Sequence, residues 1–167
     1  MNETLKVGQL LFYHTEGTFS KFIRAGEWVK FREGHDVNHV AVVDRFENGH
    51  WYVIQAEPHG ITNDKTVEEV VGALGGWYKQ IALPATCDVN RGLEWLRMQV
   101  GEEYGFFDIT AIAFNLYTPG WISIHEGNTW ICSALAMEYA RVCGWLHNWP
   151  NIYDVIPSQA WEEVFSM

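Results

Sequence analysis

Three side chains, far apart in the sequence, have the types that thiol-based acyl chemistry needs. Cys132 follows the polar stretch "HEGNT" and falls in the first turn of "WICSALAMEYARVCGW", whose apolar spacing predicts a helix over 130–145. At a helix start the N–H groups lack intrahelical partners and the macrodipole is positive, so a thiolate is favoured there. Cysteines so placed titrate between about 3.5 and 7.5 instead of near 8.5. His39 stands where the loop "HDVN" meets the apolar run Val40-Ala41-Val42-Val43, at the head of a predicted strand. A thiol needs such a base, and the base needs a third polar group to set its tautomer and orientation. In "YVIQAEPHGI", Gln55 and Glu57 share one strand face by period-two alternation, and either could reach the strand that begins with His39.

Each of these residues also has a plainer reading. Cys132 alone could be a small buried hydrophobe, and His39 a satisfied histidine at a strand edge. Gln55 could pair with backbone, and Glu57 could be a solvated strand end. Cys143 lies at the wrong end of the helix dipole, and Cys87 precedes a helix cap in a loop, so both read as structural. The spacing His35-Asp36-His39 suits a metal only if it is helical. On a strand, residues four apart are separated by roughly 13 Å, and the β-branched run after His39 favours a strand. Without HExxH or a CxxC pair, neither a catalytic metal nor a structural zinc is expected, and no cofactor is implied.

The surrounding elements must hold these groups in register. "VGQLLFYH" (7–14) predicts a strand after a turn at Gly8. "HVAVVDRF" and "HWYVIQAEP" flank "ENG" at 47–49, and Asn-Gly between two β-rich runs predicts a hairpin. "WYKQIALP" (77–84) predicts another strand, stopped by Pro84. Helices are predicted over 17–29, over 88–101 with Asp88 as cap and Gly101 at its end, over 108–117, over 130–145 with Asn128 or Thr129 before its first turn, and in the tail from Pro157. Residues 62–72 fit a short helix less clearly. Roughly four or five strands and four or five helices, segregated along the chain, make the class α+β.

Composition narrows the function classes. At 167 residues the chain suits a single domain spanning 1–167. Hydrophobic residues make up 48%, with nine Trp, nine Phe and seven Tyr, which is enough for a packed core and excludes disorder. A net charge of −10 repels phosphate backbones, so nucleic acid is not an expected partner. No apolar run approaches the about 18 residues of a transmembrane helix. "MNETLKVGQLLFYH" lacks a signal-peptide pattern, so a cytoplasmic location is expected. Three cysteines without tight spacing argue against a disulfide framework.

The order "GQLLFY", "NHVAVV", "VIQAEPHGI", "GEEYGFFDI", "WICSAL" resembles the circularly permuted branch of the NlpC-like papain-fold cysteine hydrolases, which includes the lecithin:retinol acyltransferase-like proteins. The resemblance runs from about Val7 to Pro157. Its most specific part is the pairing of "NHVAVV" with a late "CSAL" helix start, the histidine strand preceding the cysteine helix. It implies a permuted papain-like fold, with a small antiparallel sheet packed against helices and the nucleophile at a helix N-terminus. It implies Cys132 as nucleophile, His39 as general base and Gln55 at the third polar position, usually "VIEA" in such sequences and "VIQA" here. Glutamine can orient a histidine but adds no charge to stabilise an imidazolium, so Glu57 is retained as a supporting residue. Tyr104 matches the family's "YG" element near the nucleophile. The backbone N–H of Cys132 would serve as an oxyanion donor.

The activity implied is hydrolysis of an amide, ester or thioester in a surface groove. The substrate would be a cell-wall peptide in a bacterial or phage setting, or an acyl lipid. The same chemistry with another acceptor gives an acyltransferase. Gln55 in place of glutamate keeps open a catalytically decayed binding module.

Overall fold

Asn48 and Gly49 adopt φ values of 52° and 84°, the left-handed pair that a type I′ turn requires and that Asn-Gly supplies at little steric cost. They close the expected hairpin, with Glu47 opposite His50. The fold is that of a computed structural model, which describes residues 5–14, 37–72, 78–103, 105, 130–145, 155 and 157–165. In chain order the described elements are β1 (Leu10–Tyr13), β2 (His39–Glu47), β3 (His50–Glu57), β4 (Gly60–Thr62), α1 (Val67–Gly72), β5 (Tyr78–Ile81), α2 (Val89–Met98), α3 (Cys132–Val142) and α4 (Pro157–Phe165). The chain is α+β, and its five described strands form one open antiparallel sheet in the order β4-β3-β2-β1-β5. No helix among the described residues is long and apolar enough to cross a membrane.

Both faces of the central strands are buried, which explains the near-continuous apolar runs. Alternation sends Leu10, Phe12, Val40, Val42, Ile54 and Ala56 to the face covered by α2, α3 and α4. Leu11, Tyr13, Ala41, Val43 and Val53 go to the opposite face, under Leu5 and α1. The helix at the centre is α3. Its residues from Cys132 to Ala140 are all buried, as expected of a helix enclosed on every side. Gly92 of α2 lets Tyr139 and Cys143 approach closely, and Tyr139 Oη donates to the Gly8 carbonyl at 2.9 Å.

The hairpin does not keep one register. Near the turn, Glu47, Phe46 and Arg45 face His50, Trp51 and Tyr52, but Val43 and Val42 face Val53 and Ile54. Asp44 is therefore an extra residue, a β-bulge. It is buried, and its carboxylate takes Arg97 Nε of α2 at 2.7 Å and Arg45 Nη1 at 2.8 Å. The bulge thus also ties β2 to α2.

Several boundaries differ from the sequence reading. The first strand is shorter, Leu10–Tyr13, because Gly8 turns at φ 84°. β4 was not expected; three residues are too few to carry a pattern. Asp88 caps α2 as expected, accepting from the Arg91 N–H at 3.0 Å, but the helix stops at Met98. The residue at the head of α3 is Ile131, extended at φ −99° and ψ 159°, instead of Asn128 or Thr129. The helices expected over 17–29 and 108–117 lie outside the described residues.

Gly92 gives a test in which two effects oppose. Helix propensity favours alanine over glycine by about 1 kcal/mol. A Cβ there would lie 2.1 Å from Cys143 Sγ and 2.8 Å from the Tyr139 ring, and such overpacking costs about 1–3 kcal/mol. Both neighbours are buried, Tyr139 in α3 and Cys143 at its C-terminal end, so the steric cost wins. Gly92→Ala should lower the melting temperature by a few degrees in thermal unfolding, at about 2–4 °C per kcal/mol for a chain of this size. A raised melting temperature would show that the α2–α3 contact gives way freely.

Candidate active site

β1 and β2 pair so that Tyr13 stands directly opposite His39, with their rings edge-on at 4.9 Å between centroids. His39 is the first residue of β2 and is half-buried. The next strand brings Gln55 alongside on the same face, 1% exposed. Its Oε1 accepts from Tyr13 Oη in a short hydrogen bond and lies 3.2 Å from His39 Nε2. Its Nε2 donates to Glu57 Oε1 at 2.9 Å. Glu57 also receives Lys65 Nζ, at 2.8 Å on Oε1 and 2.7 Å on Oε2. The question left open by the sequence has a geometric answer: the side chain bonded to His39 is Gln55, and Glu57 bonds Gln55.

Cys132 arrives from the other side of the sheet, as the first residue of α3. Its approach is fixed on both flanks. The Trp130 N–H donates to the Glu103 carbonyl at 3.2 Å, the Gly105 N–H donates to the Trp130 carbonyl at 3.1 Å, and the Trp130 indole packs edge-on against Trp95. On the helix side, Ser133 Oγ donates to the Val155 carbonyl. Ile131 has no polar side chain with which to cap the first turn. The N–H groups there are left for the thiol, or for a developing oxyanion, instead of a capping oxygen.

The thiol meets the sheet at its rim, where β2 begins. Burial opposes ionisation of Cys132. The charge of His39, a hydrogen bond with its ring and the backbone N–H groups of Val40 and Ser133 outweigh that penalty, and the pKa falls below the ordinary thiol value. With Nε2 engaged by Gln55, the ring nitrogen available to the thiol is Nδ1. The other cysteines move the opposite way. Burial pushes Cys143 up to about 11 and also raises Cys87. All three are free thiols.

His39, Gln55 and Cys132 are thus brought together, with Glu57 one bond further out. Tyr104 lies outside the described residues, as do His35 and Asp36. Among the described residues no group of three or more His, Cys, Asp and Glu side chains could hold a metal ion. Two contributors escaped the sequence reading. Tyr13 ends an all-buried strand, where alternation is invisible; its one signal is a phenol hydroxyl among apolar neighbours, which calls for a partner. Lys65 lies in a polar connection with no pattern at all.

The chain matches no protein-family model and no curated protein.

The opposite pKa directions give a direct test. Small-molecule alkylation of the folded protein at neutral pH should label Cys132 first. Cys87 and Cys143 should react only as pH rises past the ordinary thiol range, Cys143 last. Peptide mapping after iodoacetamide treatment at a series of pH values reads the order. Simultaneous labelling of all three at pH 7 would contradict an activated Cys132.

Proposed function

We propose that the chain is a cysteine hydrolase of the permuted NlpC-like papain type, cleaving an amide, ester or thioester bond through an acyl-enzyme. The observation that carries this reading is the continuous set Gln55–His39–Cys132, ending on a thiol of lowered pKa at a helix start that no side chain caps. The order of the elements, histidine strand before cysteine helix, supports the permuted form.

Each step has an assigned group. Cys132 Sγ attacks the carbonyl carbon and the C=O π pair moves to oxygen, where N–H groups of the first turn of α3, which no side chain caps, receive it. His39 carries the thiol proton and delivers it to the leaving amine, alcohol or thiol as the C–N, C–O or C–S bond breaks. The ring then takes a proton from water, whose oxygen attacks the thioester, and returns that proton to sulfur as the acid departs. Throughout, Gln55 Oε1 accepts from Nε2–H, so the ring does not rotate when it becomes positive. The substrate class follows the same reading: a peptide, such as a cell-wall peptide reached after phage lysis, or an acyl chain.

The test uses an activated ester. Mixing the protein with p-nitrophenyl acetate should release a burst of nitrophenolate and leave one acetyl group on Cys132, detected by mass spectrometry and lost with time. Absence of the acetyl adduct, in protein whose Cys132 alkylates normally, would remove the hydrolase reading.

His39→Ala should slow acetyl-enzyme formation at pH 7 by about 10²–10⁴-fold, the usual contribution of a general base. The deficit should narrow above about pH 8.5, where an unassisted thiol ionises. Stability should change by less than about 1 kcal/mol, because Tyr13 Oη still satisfies Gln55 Oε1 after the ring is gone. A large loss of melting temperature with unchanged thiol reactivity would make His39 a structural residue.

A further inference from the structure

Gln55 can sit in its site in two ways. One presents its carbonyl to His39, the other its amino group, and a symmetric cavity would not choose between them. We propose that Glu57, held by Lys65, is the positioning residue that makes this choice. Its carboxylate locks the Gln55 amide with the carbonyl toward His39, and so fixes the ring as the Nε2–H tautomer with Nδ1 facing the thiol. The inference rests on the hydrolase reading above and names a further residue of that site.

An ionised carboxylate only accepts. The end of the Gln55 amide facing Glu57 Oε1 at 2.9 Å must therefore be the NH₂ group. A flipped amide would oppose a carbonyl oxygen to a carboxylate oxygen at that distance, in a side chain 1% exposed, where no water can relieve the repulsion. Lys65 Nζ grips both Glu57 oxygens and keeps the carboxylate turned to the amide. Once Nε2 of Gln55 is assigned to Glu57, Oε1 is left for Tyr13 Oη and His39 Nε2. Tyr13 alone would not enforce this, because a hydroxyl can accept as readily as it donates.

The choice matters to the thiol. With Oε1 toward it, neutral His39 carries its proton on Nε2 and has a lone pair on Nδ1 for the Cys132 proton. After transfer both ring nitrogens donate, and Oε1 remains a matched partner. With the amide reversed, NH₂ would call for a lone pair on Nε2, so the proton would sit on Nδ1 and the ring could not receive one from sulfur.

A second consequence concerns the residue type at 55. Glutamate there would place two carboxylates within hydrogen-bond distance, where like charges repel and the amide donor that holds Glu57 is lost. Gln55→Glu alone should therefore be slower than wild type, although it restores the "VIEA" pattern. The transposed double variant Gln55→Glu/Glu57→Gln restores one acid and one amide and should recover the rate.

The experiment is nitrogen-15 NMR of His39, side by side with acetyl-enzyme formation, in wild type, Glu57→Ala, Gln55→Glu and Gln55→Glu/Glu57→Gln. Expected in wild type is a single Nε2–H tautomer. In Glu57→Ala an Nδ1–H population should appear, and kcat should fall by about tenfold, the scale of lost support for a working group, with KM unchanged. Recovery in the double variant, above Gln55→Glu alone, excludes a merely structural role. An unaltered tautomer in Glu57→Ala, or a double variant no better than Gln55→Glu, would overturn the proposal. Loss of the hydrolase reading looks different: wild type would then form no acetyl-enzyme, while the tautomer comparison would still report on the lock.

Discussion

The extra residue at Asp44 decides which face of the sheet His39 occupies. A two-residue turn at Asn48-Gly49 sets Glu47 opposite His50, and an unbroken ladder from there would set Val42 opposite Gln55. Cross-strand partners share a face, so His39, three residues before Val42, would then lie on the face away from Gln55. Insertion of Asp44 moves the pairing by one, to Val42 opposite Ile54. That slip puts Ala41, His39, Gln55 and Glu57 on one face. A one-residue change of register flips every side chain beyond it, so no choice of residue types at 39 and 55 could substitute for the bulge. The arrangement holds because Asp44 is fastened to Arg97 of α2 as well as to Arg45, and because β1 fixes the far side by pairing Tyr13 with His39.

The thiol depends on a different constraint. A helix that is buried along nine consecutive residues cannot shift without moving the whole core. The position of its first residue is therefore as rigid as the packing of Tyr139 and Met137 behind it. Polar caps would normally stabilise such a helix by about 0.5–2 kcal/mol. With Ile131 in that place, α3 forgoes this and relies on tertiary burial instead. The outcome is a first turn in which the Ser133 N–H meets the thiol instead of a capping oxygen.

The parts of this site visible in the sequence are those with local signatures. Asn-Gly marked the hairpin, the β-branched run after His39 marked its strand, and the apolar spacing after Thr129 marked the helix that carries Cys132. Period two placed Gln55 with Glu57, because no bulge interrupts β3 between them. What escaped is non-local. Nothing in "VVDRF" distinguishes a bulge from a continuous strand, since Asp44 is placed there by Arg97, 53 residues away. Polar caps are the common device, so the sequence points to Asn128 or Thr129 before a helix over 130–145, whereas tertiary contacts through Trp130 set the first residue of α3 at Cys132. Tyr13 and Lys65 act through partners in other strands and connections, and neither has a neighbour in sequence that reveals it.

The residue at 55 then has a physical rationale. A carboxylate there would have to be stripped of water almost completely, and a buried ion carries a desolvation penalty of several kcal/mol unless its partner geometry is excellent. A neutral amide with three hydrogen-bonded neighbours avoids that penalty. The negative charge is instead two residues along the strand, at Glu57, which is less deeply buried and has Lys65 against both oxygens. The imidazolium loses direct contact with an anion and gains a partner that cannot change protonation state. Orientation of the ring is thereby separated from charge, the first supplied by Gln55 and the second held at one remove, where Lys65 largely cancels it.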